Sequence, residues 1–309
     1  MRIGVVDIGS NSTRLLVADV GPDGALSELE RRSTVTRLGQ GVEASGSLAT
    51  EAMARVFATL DAYAEILDAG GTQARTAVLT SAVRDAANGG EFTARVADRY
   101  GLEARTLSGE EEAQLSFLGA TSERGPDADA VPIVVIDIGG GSTEFVVGRA
   151  AAVTFHVSTQ AGVVRHSERH LTVDPPDPGE LGRLAADARA VYAGAIPEAV
   201  RATVGAAVAV AGTATSCAAI AQELDPYDPD RVHGYVLDER TLNRLQSRLG
   251  ALPEAQRRAV AGLQPDRAPT IVTGVVLLRE ALKVFGLDRC EVSEHDILRG
   301  VALRRAGVA

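Results

Sequence analysis

Apolar positions fall along this chain in two rhythms. Short apolar runs of strand length occur at 3–6, 15–17, 77–79, 133–136, 145–147 and 206–211, most of them unbroken, as expected of buried strands. Residues 25–38 read as a strand with one polar face, and 153–158 as another strand. Elsewhere the spacing lengthens. Met53, Val56, Leu60, Tyr63 and Leu67 recur at intervals of three and four, which predicts a helix over 48–68 with a core-facing stripe. Further helices are expected from Ser108, after the turn at 161–165, over 179–200, after Gly274 and over 291–300. Gly-, Pro- and Asp-rich breaks fall at 21–24, 39–41, 174–178 and 225–230, and 121–130 has the composition of a linker. Strands alternating with helices predict an α/β fold. The linker places one domain at 1–121 and a second at 122–309.

Two of the apolar runs end alike. Ile136-Asp137-Ile138-Gly139-Gly140-Gly141-Ser142-Thr143-Glu144 passes from a strand through three glycines and two hydroxyls into the next strand. Val6-Asp7-Ile8-Gly9-Ser10-Asn11-Ser12-Thr13-Arg14 repeats the plan with one glycine, with Asp7 against Asp137, Gly9 against Gly139, Ser12 against Ser142 and Thr13 against Thr143. A hairpin with such a tip lets backbone N–H groups close on an anion. The Asp at the strand end cannot hold a phosphate, but it can hold a cation that does. A single Gly-rich hairpin is ordinarily only a hairpin. Two in register, half a chain apart, point to a duplicated fold with one phosphate hairpin per half. The copies differ in charge at one place: Arg14 stands where the other has Glu144, which reads as a division of labour.

This duplicated Asp-x-Gly hairpin resembles the actin, sugar kinase and Hsp70 superfamily. Its wording is similar to that of the exopolyphosphatase and guanosine pentaphosphate phosphohydrolase branch. The resemblance extends to 80–88, 108–113, 212–213, 267–274 and 291–300, nearly end to end. It implies two duplicated actin-like (ribonuclease H-like) domains with a phosphate-binding cleft between them. It also implies a short form, without the C-terminal HD-type domain of longer relatives. By the same resemblance Arg84 reaches a substrate phosphate, whereas position alone leaves it equally a solvated turn residue. Gly212 and Thr213 match the family's third glycine turn, although a strand–Gly–helix junction is common without a ligand. Ser108 with Glu111 makes a capping box, so Glu111 has a structural role, and the family's general base maps to Glu112.

Composition narrows the chemistry. The net charge of −10 argues against a nucleic-acid binder. No segment approaches the ~20 apolar residues of a membrane span, and Cys217 and Cys290 have no redox or metal spacing, which suits the cytoplasm. Lys283 is the sole lysine, which excludes a Walker-type phosphate loop, and Glu144 stands where a dinucleotide fingerprint needs Gly. Among the five histidines only His166 and His170 share a helical ligand spacing, so a histidine metal site is not expected. The cluster Arg165, His166, Arg169 and His170 reads either as a solvated helix face or as a basic wall for a polyanion.

The expected reaction follows. Asn11, Ser12, Gly139, Gly140, Gly141, Ser142, Thr143, Gly212, Thr213 and Arg84 would hold phosphates. Asp137 and Glu144, with Asp7 as a third candidate, would hold Mg2+, with a monovalent cation as a further candidate. Glu112, with Glu144 beside it, would serve catalysis. Inorganic polyphosphate or guanosine pentaphosphate is the expected substrate, and the resemblance adds a homodimer. An ATP-dependent small-molecule kinase and a non-catalytic nucleotide-binding or filament module are the rival classes.

Overall fold

A computed structural model describes residues 1–124, 131–150 and 152–308, without the side chain of Glu43. Residues 125–130 of the expected linker lie outside the described residues.

The chain forms two compact units, each built on one mixed sheet. In the first, β1 (Arg2–Ile8), β2 (Ser12–Val20), β3 (Leu26–Val35), β4 (Ala74–Leu79) and β5 (Glu103–Thr106) lie in the order β3-β2-β1-β4-β5. In the second, β6 (Ile133–Ile138), β7 (Thr143–Arg149), β8 (Ala152–Thr159), β9 (Ala206–Val210), β10 (Val236–Asp238) and β11 (Arg289–Val292) lie in the order β10-β11-β9-β6-β7-β8. Without β10 the two orders are the same. Each has three antiparallel strands joined by hairpins, then two strands parallel to the first. The duplication in the sequence is therefore a duplication of topology.

Period-two alternation divides the first sheet between two cores. Val6, Ile8, Leu15 and Val17 pack with helices Thr50–Ala69 and Gly89–Tyr100, through Val56, Leu60, Phe92 and Val96. Ile3, Val5, Leu16 and Ala18 face the other way, onto Leu115 of helix Gly109–Thr121 and Leu298, Val301 and Leu303 of helix Ile297–Arg305. The second unit has one large core, in which Phe145, Leu184, Tyr192 and Leu277 meet. Cys217 and Cys290 are both buried, and burial pushes the Cys217 thiol up to about 12.

Three expectations need correction. The expected second domain runs to 309, but from Asp296 onward the chain belongs to the first unit, while residues 123–295 form the second. Leu298 and Val301 complete the first unit's second core. Gly119 lies against the Asp296 carbonyl and Gly300 against that of Leu115, so closely that a Cβ would sit at 1.8 and 1.9 Å. The expected helix over 291–300 is likewise two elements, β11 and then a helix whose first turn Asp296 caps through the Leu298 N–H at 3.0 Å. The helix expected over 179–200 is Pro178–Ala195 plus a short turn Glu198–Arg201. Pro197 disfavours helical backbone at Ile196 and divides them.

Candidate functional site

Both glycine hairpins have the expected geometry. Asp7 pairs across the ladder with Arg14 and Ile8 with Thr13; Asp137 pairs with Glu144 and Ile138 with Thr143. The Gly9 N–H donates to the Ser12 carbonyl at 3.0 Å, and the Gly139 N–H to the Ser142 carbonyl at 2.9 Å.

In the second unit, helix Val163–His170 fixes the direction in which the loop faces. The N–H groups of Val163 and Val164 donate to the carbonyls of Gly139 and Gly140 at 2.9 and 2.8 Å, and Arg165 Nε donates to the Gly141 carbonyl at 3.0 Å. In a trans peptide the C=O and the following N–H point in opposite directions. With these three carbonyls turned to the helix, the N–H groups of Gly140, Gly141 and Ser142 face the other way. Three successive N–H groups on one side make an anion nest. Gly162 permits the approach, because a Cβ there would lie 2.3 Å from the Gly141 carbonyl carbon. Sequence reasoning missed Gly162, since its role depends on a loop twenty residues earlier.

The first unit repeats the device with different parts. The Ser10 carbonyl accepts from the Gly39 N–H at 2.8 Å, and the Asn11 carbonyl from those of Thr36 and Arg37 at 3.0 and 2.9 Å. The N–H groups of Asn11 and Ser12 are thereby turned away from residues 36–39. Asn11 is exposed and Ser12 half-buried.

The carboxylates divide. Asp137 and Glu144 are half-buried cross-strand neighbours, and Glu144 Oε1 accepts from Ser158 Oγ at 2.7 Å. Two oxygen donors beside a backbone nest suit a hard cation such as Mg2+. Asp7 is placed otherwise. It is 2% exposed, and its Oδ2 accepts from Arg14 Nε at 2.8 Å and Nη2 at 2.5 Å. Arg14 Nη1 continues to Asp296 Oδ2 at 2.6 Å. Burial pushes the Asp7 carboxyl up and Arg14 opposes this, so the residue is committed to a buried ion pair. The pair takes up one of the two Asp7 oxygens, Oδ1 having no hydrogen-bond partner among the described residues, and Arg14 is structural.

Two hydroxyls also change role. Thr143 is fully buried, its Oγ1 donating to the Ala161 carbonyl and lying 3.1 Å from the Tyr192 hydroxyl. Thr213 is 6% exposed and its Oγ1 donates to the Ile138 carbonyl at 3.4 Å. Both side chains hold the framework instead of facing a ligand. Gly212, beside Thr213, lies in the first turn of helix Ala211–Ala221, and a Cβ on it would meet the Arg267 guanidinium at 1.7 Å. A cation over a helix start adds to the pull of the free N–H groups on an anion. Arg267 stands in a segment that the resemblance covers, yet no local pattern assigns it a task.

Glu112 and Arg84 come together in the first unit. The capping box is complete, with the Glu111 N–H on Ser108 Oγ at 3.2 Å and the Ser108 N–H on Glu111 Oε2 at 3.0 Å. The backbone bond from Ser108 holds the Glu111 carboxyl below its ordinary range, helped by Arg105. Glu112 points elsewhere, and its Oε2 accepts from Arg84 Nη1 at 3.0 Å. The same Nη1 donates to the Leu107 carbonyl at 2.9 Å, which fixes the guanidinium at the end of the short helix Ser81–Arg84.

A model of the Ppx/GppA phosphatase family matches residues 16–307. Exopolyphosphatase 2 of Mycobacterium tuberculosis is 39% identical, with 99% of each chain covered. The crystal structure of the Aquifex aeolicus Ppx/GppA family member is 30% identical, with a TM-score of 0.85, over 99% of this chain and 97% of that one. An exopolyphosphatase from Cytophaga hutchinsonii is 26% identical with a TM-score of 0.85, over 100% and 99% of the two chains. With matched hairpins in both halves, and a family match that spans nearly its whole length, the chain belongs to the Ppx/GppA phosphatase family.

Proposed function

We propose that this protein is an exopolyphosphatase that removes the terminal orthophosphate of inorganic polyphosphate by hydrolysis. The observation that carries the reading is the nest of Gly140, Gly141 and Ser142 N–H groups beside the Asp137–Glu144 pair. It offers N–H donors to phosphate oxygens and two carboxylates to a cation, with no base or sugar pocket required. Polyphosphate is preferred to guanosine pentaphosphate because the 39% identical relative carries the exopolyphosphatase name.

Each unit contributes in this reading. In the second, the nest holds phosphate oxygens and Arg267 adds a cation at the helix start beside Gly212. Asp137 and Glu144 would hold Mg2+, which when bound offsets phosphate charge. In the first, the N–H groups of Asn11 and Ser12 hold further oxygens, and Arg84 neutralises a phosphate while its bond to Oε2 orients Glu112. Glu112 orients a water and accepts its proton as the water oxygen attacks the terminal phosphorus. The bridging P–O bond breaks, orthophosphate leaves, and the shortened chain takes the electron pair. Positioning and neutralisation do most of this work, so a carboxylate of modest basicity suffices. The reading also carries a homodimer in the cytoplasm.

A net charge of −10 opposes distal units of a long polyanion that find no cation of their own. The enzyme should therefore favour short chains and release product between cleavages. Phosphate release is measured from polyphosphates of graded length, from guanosine pentaphosphate and from ATP, with gels of partly digested long polymer. Faster release from guanosine pentaphosphate than from every polyphosphate overturns the substrate. Full-length polymer coexisting with end product overturns the distributive mode.

A further inference from the structure

The cluster at Arg165–His170 is neither a solvated face nor a simple basic wall. His166 is 0% exposed, and among the described residues neither of its ring nitrogens has a hydrogen-bond partner. A neutral imidazole carries one donor and one acceptor, and leaving both unmet in the interior is costly. One turn on, His170 presents its ring on the same side, with the two ring centroids 5.6 Å apart. Helix Pro178–Ala195 supplies a carboxylate to both. Asp187 Oδ2 lies 2.8 Å from His170 Nε2 and 3.5 Å from His166 Nε2. The three ligand atoms all lie within 4.8 Å of one another.

A tetrahedral ion with ligands at about 2.0–2.1 Å keeps them about 3.3 Å apart, so small side-chain shifts bring this trio to ligand geometry. We propose that His166 Nε2, His170 Nε2 and Asp187 form a binding site for a zinc-class divalent cation, with water in the fourth position. Two imidazoles and one carboxylate favour such an ion over Mg2+, which prefers oxygen. Burial lowers the His166 pKa from the ordinary histidine value, which favours the neutral ring that a metal needs. Arg169 Nη1, 3.1 Å from the same Asp187 oxygen, is about half exposed and must swing into solvent when the ion enters. Arg165 and Arg169 both repel a cation here, so removing Arg169 should tighten the site.

A second trio, Glu123, His233 and His295, is built differently. His233 Nδ1 accepts from the Glu294 N–H at 3.3 Å, so in the neutral ring Nε2 carries the proton and turns it toward Glu123 Oε2 at 3.7 Å. Unlike His166, His233 is only half-buried and has a ring nitrogen engaged by the backbone, so the trio reads as a hydrogen-bonded network.

Placement gives the first site a consequence. It ties helix Val163–His170 to helix Pro178–Ala195, and the start of the former holds the glycine loop by its carbonyls. An ion there would stiffen the phosphate nest from behind, without touching a substrate.

The test uses full-length protein stripped with chelator and equilibrated with Zn2+, then with Co2+. Bound metal per chain is measured by elemental analysis, and the visible Co2+ spectrum reports tetrahedral coordination. Wild type should hold one more zinc than His166→Leu and show cobalt bands that the variant lacks. Arg169→Gln should retain zinc at several-fold lower free metal. If His166→Leu fails to fold, His170→Gln carries the same expectation from a more exposed position. Equal zinc content and equal cobalt spectra in wild type and the folded variant would overturn the site, as would failure of wild type to hold zinc at tens of micromolar.

Discussion

Replacing Gly162 by Ala tests the phosphate nest through a residue that touches no substrate. Its backbone (φ −121°, ψ 162°) is open to any residue, so the new methyl acts by collision alone. The added Cβ would lie 2.3 Å from the Gly141 carbonyl carbon, 2.4 Å from the Gly140 oxygen and 2.4 Å from the Ser142 nitrogen. All three are backbone atoms, so no side chain can swing aside. Relief to ordinary contact near 3.4 Å requires the loop and the helix start to part by about 1 Å. Overpacking of this kind costs about 1–3 kcal/mol. A displacement of ~1 Å in a positioning element costs about 100-fold in rate. The assay pairs a thermal melt with phosphate release from a short polyphosphate. Gly162→Ala should melt several degrees lower and lose about 100-fold in kcat/KM. Gly182→Ala, in a helix interior with nothing within 4 Å of the new methyl, is the control and should be stabilising by up to ~1 kcal/mol. A Gly162→Ala enzyme with wild-type melting and wild-type kcat/KM would refute the nest as described.

Glu112→Gln should keep its fold, because Ser108 and Glu111 carry the cap. It should lower kcat by ~100-fold or more with little change in KM; near-normal turnover would move the base to another carboxylate, Glu144 first. Glu180 accepts from the Thr172 hydroxyl and N–H and from the Asp177 N–H, and the Thr172 bonds hold its carboxyl below the ordinary value of 4.5. The unfolded chain therefore binds that proton more readily, and the stabilisation is present above pH 4.5 and lost as pH falls through the folded-state value. Glu180→Gln should accordingly melt below wild type at pH 7, with the gap closing toward pH 3. A gap that widens on acidification would reverse the assignment.

What the sequence made legible was what repeats. Two copies of one hairpin reported both the fold and the nests, and the Arg14/Glu144 difference became the contrast between a buried ion pair and a candidate metal pair. The misassigned hydroxyl of Thr143 was also within reach. It shares strand parity with Phe145 and Val147, both in the core, while Glu144 lies on the other face. Pro197 likewise announced the helix end at 195–196 that the periodicity ran through. Gly162 and Asp187 were out of reach for another reason. Each acts on residues about twenty positions earlier through the packing of one element on another, and no local pattern encodes that approach. The return of helix Ile297–Arg305 to the first unit was hidden in the same way, in glycine contacts between residues nearly two hundred positions apart.

That return has a consequence for the order of events on the ribosome. Domains ordinarily fold as they emerge, N-terminal first. Here Ile3, Val5, Leu16 and Val78 are made before the second unit, whereas Leu298, Val301 and Leu303, which pack with them, are made after it. One face of the first sheet can close with helices Thr50–Ala69 and Gly89–Tyr100 as soon as they appear. The opposite face gains helix Gly109–Thr121 early, but the rest of its cover must wait while the second unit is synthesised. The first unit is thus stitched shut by a helix made after its neighbour, and the half that begins earlier is completed later.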